Sequence, residues 1–359
     1  MTLFQDFLDQ SKQCNRASQR SYESLPYHPP NKKYKIIHNA LIIPNLPAPL
    51  HYLNFHSLIG QPNSPIFQNN SSSQSHGVDI ATVLASTSAQ MVGHLHTYSI
   101  QNECSFLQDK FQFSDREQIT GHFPEFFVER EDSELSFKLK ITTTNTISHF
   151  LKIRMSLAEY WSSLCLCEGE VIYKQQKIHI KQIGSFEYAR MVNFPYVSYA
   201  FFTYQIINLE NNRQLLCMQI RNETNQILQS RMYLKDGVKG QTEMFEDNVA
   251  FNVDRVYPKI KTPNGQHMYL PREFSWACLD HDGCGILVVA QSRGDFKFGV
   301  GAGYVGSFSY SVKINNQEEI GEGGYCEYID CRSLRWQEQN KDDEIYNSNA
   351  NFVPFMTKR

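Results

Sequence analysis

From Tyr34 onward the chain is built from short runs of apolar and polar residues, rich in β-branched and aromatic side chains and separated by turn formers. The segments YKIIHNALII, ATVLASTSAQMVGHLHTYSI, LSFKLKITTT and KIHIKQIGSFEYA read as strands, since a two-residue period sends alternate side chains to opposite sheet faces. No stretch carries a convincing apolar stripe at helical spacing, so the pattern predicts an all-β protein. Residues 1–33 show only weak helical periodicity, broken at Pro29 and Pro30, and read as an N-terminal arm. Residues 61–77, QPNSPIFQNNSSSQSHG, are polar and predict a loop crossing the mouth of the fold.

The second half repeats the style. YVSYAFFTYQIINLENNRQLLCMQIRN reads as two strands about a polar hairpin, with Leu216, Met218 and Ile220 on one face and Cys217, Gln219 and Arg221 on the other. One face is therefore expected to be covered. The glycines in GILVVAQSRGDFKFGVGAGYVGSFSYSVKINNQEEIGEGGYCEYID sit where bulges or corners let a sheet curl toward closure. Two stretches end alike: GEVIYKQQKIHIKQIGSFEYAR and GSFSYSVKINNQEEIGEGGYCEYID each run from a glycine through a hairpin to a glycine, an aromatic residue and Glu-Tyr. Their glutamates, Glu187 and Glu327, lie about 140 positions apart, the size of one barrel domain. The division expected is an arm over 1–33, β-barrels over 34–190 and 191–334, and a polar tail over 335–359 that Trp336, Phe352 and Phe355 can anchor.

Composition narrows the function. The 34 basic and 37 acidic residues leave a net charge of −3 and no basic run dense enough for a row of phosphates, so nucleic acid is not an expected partner. Neither a secretion signal nor an uncharged run of membrane-spanning length is evident, which implies a soluble, cytoplasmic protein. Nine cysteines in a long chain read as mostly buried thiols rather than a disulfide framework.

The order of the strands, and above all the ending EIGEGGYCEYID, resembles the AttH and hydroxyneurosporene synthase (carotenoid 1,2-hydratase) group, which closes with Gly-x-Gly-Tyr-x-Glu. Gly321, Gly323 or Gly324, Tyr325 and Glu327 occupy that pattern with one extra residue. The resemblance spans residues 34–334 in order and rhythm. It implies two lipocalin-like antiparallel β-barrels, or strongly curled sheets, in tandem with an apolar small-molecule cavity; relatives include a hydratase of carotenoid double bonds and cyclases of polyketide-like chains. Where the hydratase closes its first domain with histidine and tryptophan, this chain has GSFEYARMVN, with neither. It is similar to an uncharacterised branch that kept the barrel and changed its contents.

Chemistry on an apolar substrate needs a proton donor held in a dry pocket, where desolvation raises a carboxyl pKa toward neutrality. Glu187 is the candidate acid, with Tyr188 or Tyr204 nearby; Arg190, Phe202, Arg221 and Trp276 are candidate ligand-binding residues. On a regular strand Glu187 shares its face with Ser185 and Ala189, while Phe186, Tyr188 and Arg190 point the other way. The plainer account makes Glu187 and Glu327 equivalent repeat positions satisfied by neighbours. His94 and His96 share a strand face suited to two metal ligands, but His122 or Glu125 would have to arrive through the fold, so no metal or other cofactor is expected. Cys165 and Cys167 read as two inward thiols, and HDGCG, residues 281–285, as a hairpin turn. There is no GxSxG elbow, phosphate loop or dinucleotide fingerprint. Two classes stay open: a lyase or isomerase using a buried carboxylate on a polyene, lipid or polyketide-like substrate, and a non-catalytic carrier of a lipophilic ligand. A carboxylate buried in the cavity without a cationic partner would favour the first, and a wholly apolar wall the second. The oligomeric state is not legible.

Overall fold

A computed structural model describes residues 8–16, 21–69, 79–90, 93–279, 285–315 and 317–333. The first half contributes β1 (Ile36–Ile43), β2 (Leu53–Ile59), β3 (Ala81–Thr87), β4 (His94–Tyr98), β5 (Cys104–Leu107), β6 (Lys110–Phe113), β7 (Glu117–His122), β8 (Glu125–Arg130), β9 (Leu135–Lys152), β10 (Ala158–Tyr173) and β11 (Gln176–Met191). The second contributes β12 (Tyr199–Leu209), β13 (Arg213–Asn222), β14 (Ile227–Asp236), β15 (Gln241–Phe245), β16 (Val249–Val256), β17 (Ile260–Lys261), β18 (His267–Met268), β19 (Pro271–Leu279), β20 (Gly285–Ser292), β21 (Lys297–Val300), β22 (Gly303–Ile314) and β23 (Gln317–Asp330).

The first sheet runs β4-β3-β2-β1-β11-β10-β9-β8-β7-β6-β5, and the second β15-β14-β13-β12-β23-β22-β20-β19-β16 with β21 beside β22. In each, the last long strand lies between the first strand and its own hairpin partner, and the neighbours are antiparallel: Ala40 faces Glu187 on β1 and β11, and Tyr204 faces Glu327 on β12 and β23. The two glutamates thus hold equivalent places. The molecule is all-β and lipocalin-like as expected, and its sheets curl unequally, one to a nearly closed barrel and the other to a half-barrel.

Both concave interiors are filled by the protein itself. Phe186, Tyr188, Trp161, Cys165 and Cys167 lie in the first core, and the arm plugs its end: Leu25 is buried there, Tyr22 and Tyr27 pack against it, and Trp161 Nε1 donates to the Pro26 carbonyl at 3.1 Å. Phe251, Phe274, Trp276 and Phe308 fill the second. A third cluster joins the halves, with Ala40, Ile42 and Phe150 from one meeting Tyr204, Leu216 and Met218 from the other.

That third cluster corrects the hairpin reading. Leu216 and Met218 face the first sheet while Cys217 faces the second core, so both faces of β13 are covered. Alternation reports that the faces differ; it does not reveal that a second sheet will cover the outer one. Each buried Leu or Met side chain there contributes about 1.5–3 kcal/mol. The tail over 335–359 and residues 281–284 lie outside the described residues.

Candidate active site

Strand alternation delivers both glutamates to the seam between the sheets. On β11, Phe186 and Tyr188 enter the first core and Glu187 points away from it; on β23, Cys326 and Tyr328 enter the second core and Tyr325 joins the seam cluster, on the face of Glu327. Glu187 is 1 % exposed and Glu327 6 %.

Their surroundings differ. Glu187 accepts short hydrogen bonds from the hydroxyls of Tyr160 and Tyr204. Burial raises its pKa, against the pull of these donors and of the nearby Lys235 ammonium. Glu327 accepts on Oε1 from the Tyr325 hydroxyl at 3.1 Å, and His56 Nε2 lies 3.3 Å from the same oxygen. Burial first, and then the charge of Glu187, push its pKa well above the usual carboxylate range. Two carboxyl groups in one dry seam cannot both ionise cheaply, and the upward push is the greater on Glu327, which has no ammonium nearby to oppose it.

His56 does not supply a counter-charge, because burial and the neighbouring His38 hold its pKa well below the ordinary value. Hydrogen-bond accounting sets its tautomer. Tyr325 gives its one proton to Glu327 and receives Asn54 Nδ2 at 3.2 Å, so the 2.8 Å contact from His56 Nε2 is a donated N–H. His56 Nδ1 then carries a lone pair, and it is buried without a partner. His38 stacks on His56 at 5.7 Å, donates from Nδ1 to the Ser57 carbonyl at 3.0 Å, and is held neutral by burial, its pKa lowered to about 4. Its Nε2 is therefore a neutral base.

A cavity of about 190 Å³ opens onto these groups, with His38, His56, Tyr160 and Glu327 on an otherwise mostly apolar wall. It is smaller than the ~300–1,000 Å³ of common ligand sites, and suits a compact skeleton or the end of a longer one. Its roof comes from both halves. Pro62, Ile66 and Phe67 contribute from one side and Val300 and Gly301 from the other. Ala302 N–H donates to the Ile66 carbonyl at 2.8 Å, and Gly301, at φ +52°, lies so close that a Cβ would stand 2.2 Å from that oxygen. Within the expected loop over 61–77, residues 61–69 reach the cavity and residues 70–77 lie outside the described residues.

The structure gathers some expected residues and disperses others. Tyr204 touches Glu187, which is sealed from the cavity behind Tyr160 and Tyr204. Phe202 lies on the wall, and so does Arg190 at the end of β11, whose guanidinium donates to His28 and, at 3.0 Å, to Glu159 on β10. Tyr188 points into the first core and donates to the His28 carbonyl at 3.0 Å. Trp276 sits in the second core with Nε1 on Gln205 Oε1 at 2.8 Å. Arg221 stands at the end of the second sheet beside Phe201, bonded to Gln219 and Asn225. Sequence reasoning missed His38, His56 and Tyr160 and treated Glu327 only as an echo. The available signal was a histidine interrupting each of two apolar runs, KIIHNALII and YLNFHSLI.

A tandem of curled lipocalin-like sheets with an acid-bearing cavity at their seam defines the class. The chain belongs to the family of unknown function DUF6670, whose profile matches residues 56–343. Its fold is shared with an AttH protein of Nitrosomonas europaea (TM-score 0.59, 14 % identity, 83 % of this chain and 93 % of that one). It is shared as well with kievitone hydratase of Nectria haematococca (TM-score 0.56, 10 % identity, 89 % and 97 %). No protein of curated function matches by sequence.

Proposed function

We propose that the protein is a lyase that adds water to, or removes it from, a carbon–carbon double bond of a hydrophobic small molecule held in the seam cavity. One observation carries this reading: Glu327 is buried on an apolar wall with a proton to give and no cationic partner among the described residues. In hydration, the Glu327 carboxyl gives its proton to one alkene carbon, while His38 Nε2 takes a proton from the water whose oxygen bonds the other carbon. Dehydration runs the same transfers backward. Solvent returns both groups to their starting states. Tyr160 and the Nδ1 lone pair of His56 are placed to orient the hydroxyl or water, and the apolar wall keeps other water out. Burial above all, and then the neighbouring Glu187 carboxylate, raise the Glu327 pKa. That a protein of this fold is a kievitone hydratase supports water addition as the reaction type.

The test incubates the protein with apolar alkenes, enones and tertiary alcohols in isotopically labelled water, with mass spectrometry of the products. Incorporation that Glu327→Gln abolishes supports the reading. Incorporation at an unchanged rate in that variant overturns it. Retention of an unaltered lipophilic molecule, with equal affinity in both proteins, supports carriage instead.

A further inference from the structure

The strongest chemistry outside the cavity is at the free edge of the first sheet. Among the described residues β4 pairs with β3 only, and its other edge is held by side chains. His94 and His96 project from the face opposite Leu95, which packs on the seam cluster. They meet the turn between β8 and β9, where Asp132 and Glu134 stand, so that one ligand atom each from His94, His96 and Asp132 lie within 4.8 Å of one another. His122 and Glu125 are not in that group, and the sequence reading, which expected no metal here, did not consider Asp132.

The geometry points to a divalent transition-metal site of the zinc type, formed by His94, His96 and Asp132 and completed by water. Each histidine has a carboxylate on one ring nitrogen, which leaves the other, Nδ1 of His94 and Nε2 of His96, as the nitrogen for a metal. His96 Nδ1 is 2.9 Å from Glu117 Oε1, and His94 Nε2 is 3.0 Å from Glu134 Oε2. A carboxylate on the outer nitrogen fixes the tautomer and raises the basicity of a metal-binding imidazole. Glu117 is itself immobile, buried against the fully buried Arg130 guanidinium and receiving the Tyr98 hydroxyl at 2.5 Å. Arg130 also takes Asp132 Oδ2 at 3.2 Å, leaving Oδ1 facing His94 Nδ1 at 3.9 Å. That gap is long for a hydrogen bond and close to the roughly 3.3 Å that separates two ligands of a tetrahedral zinc. Arg116, donating to His96 Nε2 at 3.1 Å, is exposed and leaves at little cost. Imidazole nitrogens select zinc, nickel or copper over calcium and magnesium. The ion would staple an edge strand that backbone pairing leaves open, a role separate from the cavity.

The test titrates the metal-free full-length protein with zinc chloride by calorimetry and with cobalt(II) by visible absorption. The expected result is one equivalent bound, a cobalt spectrum of nitrogen and oxygen ligands without thiolate charge transfer, and a rise in melting temperature that a chelator reverses. His94→Ala and Asp132→Asn, each checked for a wild-type circular dichroism spectrum, should weaken binding ~10-fold or more. No binding, a thiolate band, or unchanged affinity in both variants overturns the site.

Discussion

Glu187 and Glu327 occupy the same position in two copies of one sheet plan, yet only one faces a cavity. Around Glu187 the seam supplies two tyrosine donors and the buried Lys235, whose ammonium lies 2.8 Å from Ser162 Oγ. Around Glu327 it supplies one tyrosine and a neutral histidine. The first arrangement tempers the rise that burial gives a carboxyl pKa and walls the group off; the second leaves a carboxyl pushed well above its usual range beside apolar space. Duplication provided two buried acids, and the neighbours on the strands facing them gave each a different task.

The sharpest way to break this comparison is to neutralise each acid in turn. Glu327→Gln should lower turnover by about 10²–10⁴-fold, the usual worth of a positioned acid, while leaving ligand affinity in place. Glu187→Gln should act mainly on folding. It replaces a carboxylate oxygen that accepts from the Tyr160 or Tyr204 hydroxyl with an amide NH2 that cannot, and should lower the unfolding free energy in urea by about 1–3 kcal/mol. If the two variants exchange these phenotypes, the assignment of roles is reversed.

The pH dependence separates the groups further. Turnover requires neutral His38 and protonated Glu327, so the rate should rise with pH through about 4 and fall again above the raised pKa of Glu327. His38→Gln should remove the acid limb. Stability carries the same signature. A carboxyl with a raised folded pKa stabilises the fold fully below its unfolded value, and that contribution is lost as pH rises toward the folded pKa. Glu327→Gln should therefore gain stability relative to the parent as pH is raised beyond the ordinary glutamate range. The lowered histidines slope the other way, stabilising above pH ~6.5 and losing that contribution as pH falls. Denaturation at several pH values checks both signs.

The smallest effect belongs to a residue adjacent to Glu187 but on the other face. Tyr188→Phe removes the two hydrogen bonds between its hydroxyl and the His28 backbone, and should cost about 1–2 kcal/mol without altering turnover. A large loss of activity would mean that the first core, rather than the seam, holds the substrate.

Much of this was legible along the chain. Alternation around SFEYA already separates Phe186 and Tyr188 from Glu187, and the repeated glycine, aromatic, Glu-Tyr ending already pairs Glu187 with Glu327. The sheet plan follows, because a strand's two faces are set by a period that local sequence carries. Which glutamate keeps a proton is not local. It depends on His38 and His56 from β1 and β2, on Lys235 from β14 and on Tyr160 from β10, all brought to the seam by pairings across a hundred or more positions for the farthest of them. The arm is a similar case, its weak periodicity giving no hint that Tyr27 would plug a barrel end. Periodicity determined the strands and their faces; burial, and the charges gathered by packing two sheets together, decided the chemistry, because desolvation and Coulomb energy depend on distance in space.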